Sequence, residues 1–302
     1  MIDCDILIPG NYFCDFIFTG LPGFPALGSE VYTQGLTVTV GGVLNTVIAL
    51  QRLGIRVSWT GTVGTDLFSQ FVIDTVKREG VETSLLNFTD VPFQRVTVSL
   101  SYPDDRAMIT YIDPAPTPVQ LAFDALDRVR FRHLHFTGFQ IDPRTRELLE
   151  KVQERGISVS MDCQDRPITL DTPNVRETIR LLNVFMPNAK EAMQLTGCDS
   201  ITAAADILRL LVPILVIKAG AHGAYAWQGD RTLYEPALQV TPIDTTGAGD
   251  VFNAGFLAGW LEGHDLVECL RWGNICGGLS TLGSGGTSTA PDQAQLSQFR
   301  KQ

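Results

Sequence analysis

The chain predicts an α/β fold, a mostly parallel sheet covered by helices on both faces, and three observations carry that reading. From about residue 119 onward, short apolar strands alternate regularly with helix-length segments. Such alternation belongs to strand–helix–strand units, whose strands run parallel with helices packed above and below. Four early strands, at 17–20, 30–40, 96–101 and 107–112, break the rhythm. They fit either a separate small sheet, placed as a lid over the core, or an extension of the main sheet. No internal repeat, low-complexity tract or long linker divides the 302 residues, so the expectation is one domain spanning 1–302, with lid strands inserted from about 12–40 and 92–116.

Taken in order, Asp5–Pro9 is a short apolar strand running into Gly10-Asn11. Residues Glu30–Val40 alternate like a half-exposed strand. A helix is expected over Val43–Leu53, ended by Gly54, and a strand over Arg56–Gly61. Leu67–Glu79 reads as the next helix, stopped by Gly80. Val96–Ser101 and Ala107–Ile112 read as a hairpin turning at Pro103-Asp104-Asp105. The regular part supplies strands at His133–Thr137, Ile157–Asp162, Val184–Pro187 and Ile214–Lys218, with helices between them such as Pro143–Arg155 and Asn188–Leu195. Ala224–Gln228 and Arg231–Glu235 predict a late antiparallel hairpin. Helices over Ala248–Leu261, Leu266–Leu282 and Pro291–Phe299 close the chain.

A hydrophobic content of 44% and a charged content of 19% provide ample core for a globular protein. A net charge of −10 argues against nucleic-acid and membrane-surface roles. Cys4, Cys14, Cys163, Cys198, Cys269 and Cys276 show no CxxC spacing and read as buried thiols in a reducing compartment. The start lacks a basic signal-peptide region and no stretch approaches transmembrane length, so a cytoplasmic location is expected.

The most informative segment is Asp244-Thr245-Thr246-Gly247-Ala248-Gly249-Asp250-Val251-Phe252-Asn253-Ala254-Gly255. Small residues and two glycines lead into an apolar helix whose first turn carries Asp250. Free N–H groups at such a terminus suit a phosphate or a developing anion. A carboxylate beside them reads as a base that takes a proton while Gly247, Ala248 and Gly249 hold a phosphoryl group. Taken alone, the same pattern is also a glycine-rich turn capped by Asp250. The whole string resembles the C-terminal signature of the ribokinase-like (PfkB) carbohydrate kinases.

Other segments extend the resemblance along nearly the whole chain. Lys218-Ala219-Gly220-Ala221-His222-Gly223 resembles the family's K-x-G-x-x-G segment, which implies nucleotide contact at Lys218, Gly220 and Gly223. Asn188-Ala189-Lys190-Glu191 resembles the N-x-x-E motif of the magnesium–phosphate network, with Glu191 acting on Mg²⁺ through water; it also has the form of a helix cap. Gly41-Gly42-Val43-Leu44-Asn45 resembles the diglycine segment that lies along the sugar, one residue shorter than the family's G-G-x-x-x-N, so Asn45 carries over better than Gly41 and Gly42. Asp15 matches the family's N-terminal Asp, a carboxylate able to accept from two substrate hydroxyls. Asn11 and Phe13 beside it look closer to adenosine kinases, where the apolar residue touches the base. Gly64-Thr65-Asp66 matches a G-x-D turn on the substrate side, or is a plain helix cap. By the match of the last run, Asn274 lies near adenine, and Asp244, Thr246, Gly285 and Thr289 enclose K⁺. Asp162 and Arg166 resemble the family's D-x-x-x-R, a phosphate contact or an ion pair bracing a loop. His133, His135, His222 and His264 show no ligand spacing and read as structural. Phe93, Tyr102 and Tyr111 read as a packing face of the lid.

What the resemblance implies is a three-layer α/β/α ribokinase-like core with a small lid sheet. The implied activity is ATP-dependent phosphorylation of a sugar hydroxyl, with ATP and Mg²⁺ as cofactors and K⁺ as a further ion. A homodimer through the lid is a further implication. Phe13 and the apolar lid motivate a nucleoside kinase on the same scaffold. The shortened diglycine motif motivates a catalytically silent sugar-binding relative.

Overall fold

The computed structural model describes residues 2–102, 106–164 and 167–299. Its centre is an eight-stranded sheet in the order Arg231–Glu235, Ala224–Gln228, Ile214–Lys218, Val184–Phe185, Ser158–Met161, His133–Phe136, Ile6–Pro9, Val57–Thr60. The six strands from Ile214–Lys218 to Val57–Thr60 are parallel, and the last hairpin adds two antiparallel strands at one edge. The parallel strands are buried along almost their whole length, because helices cover both faces and leave no polar side to the sheet. Two separate apolar clusters result. One lies under helices Val43–Arg52, Ala248–Leu261 and Leu266–Ser280. The other lies under Pro118–Ala125, Thr145–Glu154, Val175–Arg180, Ala189–Thr196 and Ile201–Leu208.

The early strands form a sheet of their own, which resolves the two arrangements the sequence left open. Its order is Gly35–Gly42, Tyr12–Thr19, Arg95–Ser101, Arg106–Ile112. Tyr12–Thr19 is longer than the expected 17–20, and the next strand begins at Gly35 where alternation predicted Glu30. The turn expected at Pro103-Asp104-Asp105 lies outside the described residues. Register and pleat set Thr39, Asp15, Thr97 and Thr110 on one face, and Val38, Phe16, Val98 and Ile109 on the other. The polar face meets the core: the hydroxyls of Thr39 and Thr287 are 3.2 Å apart. The apolar face leaves Val38, Ile109 and Tyr111 in solvent. Tyr111 is therefore exposed, whereas Phe93 is buried edge-on against Tyr12, at 5.9 Å between ring centres.

The lid joins the core through a tightly bonded junction. Asn11 accepts from the Thr62 N–H at 3.0 Å and donates to the Pro116 carbonyl at 3.2 Å. Arg95 donates to the carbonyls of Tyr12 and Asp113, both at 3.2 Å, and lies over the Phe13 ring. Glycine is required at Gly42, the N-cap of helix Val43–Arg52, where φ is +64° and an added Cβ would meet Phe13 and the Asn11 carbonyl.

Candidate active site

The segment 244–255 folds as its composition demands. Gly247 takes φ +73° as N-cap, a value the glycine tolerates without strain, and helix Ala248–Leu261 follows. An added Cβ at Gly247 would meet the Asn45 amide at 2.7 Å and Gly286 at 2.8 Å, so the turn is closed in by two other segments. The Ala248 N–H is spent on the Thr245 carbonyl at 3.3 Å. The N–H groups of Gly247 and Gly249 have no acceptor among the described residues. The anion turn thus offers two of the three expected donors, at the positive end of a fourteen-residue helix.

Asp250 is one residue further on. Its Oδ2 accepts from the Asn45 amide at 3.0 Å, and its backbone carbonyl accepts from the Thr46 hydroxyl at 3.3 Å. Burial pushes its pKa up to about 7. The nearby charges of Asp162 and Glu191 add to the rise, while the Asn45 hydrogen bond and the Lys218 ammonium oppose it. A carboxylate near neutrality is matched to taking a proton from an alcohol. The other atom of the Asn45 amide, Oδ1, is buried and has no partner among the described residues. A buried acceptor without a donor is costly, and a substrate hydroxyl would satisfy it.

Lys218 turns inward beneath the anion turn. Its ammonium donates to Asp162 at 2.6 Å and to the Asn253 side-chain carbonyl at 3.2 Å, and the Asn253 amide donates to Asp162 at 2.6 Å. All three side chains are buried. This triangle ties helix Ala248–Leu261 to the ends of two central strands. Two of the three ammonium hydrogens are thereby engaged within the protein, and an added Cβ at Gly249 would lie 3.6 Å from the Lys218 nitrogen. Sequence reasoning missed Asn253. A polar residue three positions after Asp250 in an otherwise apolar helix was the available signal. Asp162 is a partner of this lysine, and Arg166 lies outside the described residues.

On the lid side, Asp15 leans over Gly41, where any side chain would run into its carboxylate. Burial raises the Asp15 pKa to about 6, and the charge of Asp244 adds to the rise. Phe13 is capped by the Arg95 guanidinium 4.9 Å from its ring centre. The Asn11 amide uses one N–H and its oxygen at the lid junction, which leaves its second N–H for another acceptor. Asp66 is a helix N-cap, accepting from the N–H groups of Phe68 and Ser69.

The remaining expected residues are engaged in bonds of their own. Asn188 and Glu191 make a reciprocal capping box, at 2.9 and 2.8 Å. Gly220 and Gly223 take positive φ around a short 3₁₀ turn. Asn274 donates to the Glu235 carbonyl at 2.9 Å, holding the edge hairpin. Asp244 accepts from the N–H and hydroxyl of Thr246 and from the Gly285 N–H, and Thr289 donates to the Ser280 carbonyl. From the lid, Arg106 reaches across to the Thr246 hydroxyl at 2.7 Å, a contact with no signal in the sequence. No cluster of three or more His, Cys, Asp or Glu side chains able to hold a metal exists among the described residues.

Asp250, buried and bonded to Asn45, thus stands beside the open N–H groups of Gly247 and Gly249 at the start of one helix. The chain belongs to the pfkB family of carbohydrate kinases, whose family model matches residues 22–293. It is 29% identical over 233 residues to an uncharacterized sugar kinase of Archaeoglobus fulgidus, covering 76% of this chain and 92% of the relative. It is 27% identical over 301 residues to the ribokinase of Bacillus subtilis, covering 98% and 99%. Among solved structures, the Arabidopsis thaliana ribokinase complexed with ribose and ATP superposes with a TM-score of 0.82 at 19% identity over 100% of both chains. A fructokinase double mutant of Vibrio cholerae O395, bound to fructose, ADP and a potassium ion, superposes with a TM-score of 0.80 at 24% identity over 99% of both.

Proposed function

We propose that the protein transfers the γ-phosphoryl group of Mg-ATP to a hydroxyl of a sugar or sugar-like substrate. The observation that carries this is Asp250, held by Asn45 with its pKa raised to about 7, one residue after the unpartnered N–H of Gly249. In this reading Asp250 accepts the hydroxyl proton as the oxygen attacks phosphorus. The N–H groups of Gly247 and Gly249 stabilise the charge on the transferring oxygens. Asp15 and the open Oδ1 of Asn45 orient the substrate. The backbone at Gly220 and Gly223, with Asn188 and Asn274, borders the nucleotide. Glu191 supports Mg²⁺, which neutralises phosphate charge when bound. The whole chain acts as one kinase domain with the small sheet as its lid, excluding water from the reaction.

The exposed apolar face of the lid supports a homodimer formed there, tested by sedimentation of the wild type against Ile109→Lys. Cys4, Cys14, Cys269 and Cys276 are buried among apolar side chains, a setting that suits thiols in a reducing cytoplasmic compartment. No helix among the described residues is long and apolar enough to cross a membrane.

The test is ADP release from Mg-ATP across pentoses, hexoses, sugar acids, inositols and nucleosides, with Asp250→Asn as control. Turnover with a sugar, lost in the control, supports the reading. Turnover confined to nucleosides moves the acceptor class. Ligand binding without any turnover leaves a sugar-binding relative.

A further inference from the structure

The corner formed by Asp244 and Thr246 is where the family resemblance implies a monovalent cation, and a protein cation already stands there. The Asp244 carboxylate accepts three hydrogen bonds. Oδ1 accepts from the Thr246 N–H at 2.9 Å and hydroxyl at 2.7 Å, and Oδ2 accepts from the Gly285 N–H at 2.8 Å. Thr246, having donated its hydrogen to Asp244, accepts one from Arg106 at 2.7 Å. The same guanidinium nitrogen lies 3.8 Å from Asp244 Oδ1. The Thr289 hydroxyl is directed to the Ser280 carbonyl instead. A potassium ion on this carboxylate would share it with a guanidinium, and like charges at such separations repel strongly.

We propose that Arg106, carried on lid strand Arg106–Ile112, takes the place of the monovalent cation at the Asp244–Thr246 corner and makes the anion turn positive without K⁺. The proposal rests on the kinase reading above. Thr246 immediately precedes Gly247, so the guanidinium charge sits one residue from the N–H groups that receive the phosphoryl oxygens, and fixed positive charge there strengthens anion binding. A diffusible ion would serve the turn whatever the position of the lid. An arginine on the lid delivers its charge only when the lid lies over the core, so anion binding and lid position become one equilibrium. Arg106 is a positioning residue in this scheme: it acts through Thr246 and Asp244.

The experiment is calorimetric titration of the Mg²⁺ complex of AMP-PNP, a non-hydrolysable ATP analogue. It is run in KCl, NaCl and choline chloride at equal ionic strength, on the wild type, Arg106→Ala and Arg106→Lys, with melting curves for each. The wild type is expected to bind with affinities agreeing within roughly twofold in the three salts. Arg106→Ala is expected to bind roughly tenfold more weakly in choline chloride, the loss of one charge-assisted contact, and to regain part of that in KCl. Arg106→Lys keeps the charge and is expected to fall between them, which separates a charge effect from damage to the fold. Wild-type binding that requires K⁺ overturns the proposal, as does an Arg106→Ala protein that binds like the wild type in every salt. Failure of the wild type to bind the nucleotide in any salt refutes the kinase reading itself, and this proposal with it.

Discussion

Replacing Asp250 with asparagine removes the proton acceptor while keeping its shape and its contact with Asn45, and the structure sets two opposite magnitudes for the change. Loss of the base lowers kcat by about 10²–10⁴-fold. The fold responds the other way. The Asp250 pKa rises from an ordinary 3.8 to about 7. At about 1.4 kcal/mol per pH unit, the charged carboxylate is disfavoured by about 4 kcal/mol when folded, and residual solvent contact reduces this to about 2 kcal/mol. The folded state holds the proton more tightly than the unfolded chain, so stability is fullest below pH 4 and falls as pH rises from about 4 to about 7. Asparagine does not ionise. Asp250→Asn is therefore expected to be more stable than the wild type by about 2 kcal/mol at pH 8, with the gap closing near pH 4. Urea denaturation at the two pH values measures the gap, and ADP release measures the activity. A stability difference that stays constant with pH, or turnover at the wild-type rate, would refute the assignment of Asp250 as a desolvated base.

Further expectations concern its neighbours. The kcat/KM for the acceptor should rise with pH and level off above about 7, steepening below about 6 where Asp15 is also protonated; a flat profile from pH 5 to 8 would exclude both carboxylates. Gly41→Ala places a methyl against the Asp15 carboxylate; it should raise the acceptor KM roughly tenfold or more and leave the KM for ATP unchanged. Lys218→Met strands Asp162 as a buried charge and should cost about 3–5 kcal/mol in urea, with much of that recovered when Asp162→Asn is added; equal losses in the single and double variants would mean that the triangle has no electrostatic role.

What was legible in the sequence was whatever the backbone itself must do. The turn and helix of residues 244–255 could be read because a positive-φ turn into a packed apolar helix is written in one continuous run of small and apolar residues. The parallel core could be read because buried strands and helices alternate along the chain. Features made by side chains from distant segments were not legible. Lys218 meets Asp162 and Asn253 across separations of 56 and 35 residues, and nothing local to Lys218 tells whether its ammonium turns toward nucleotide or into the core. Asn11 has the right type for a substrate contact, and nothing local shows that its amide also bridges Thr62 and Pro116, 51 and 105 residues away. Glu30–Val40 misplaced a strand start because alternation continues into residues 30–34, which have no partner strand, and periodicity does not register pairing.

The residues proposed for acceptor binding and those proposed for the chemistry lie mostly in different layers of this molecule. Asp15 and Gly41 sit on strands of the small sheet, whereas Gly247, Gly249 and Asp250 sit on a core helix whose packing runs deep into the protein. On the proposed reading, selection among sugars is written largely on a four-stranded patch, with Asn45 of a core helix as its partner, and the chain crosses between patch and core near Asn11, Gly42, Arg95 and Asp113. Mutational drift can rework that patch without disturbing the buried triangle under the phosphoryl site. A lineage built this way can change its diet while keeping its reaction.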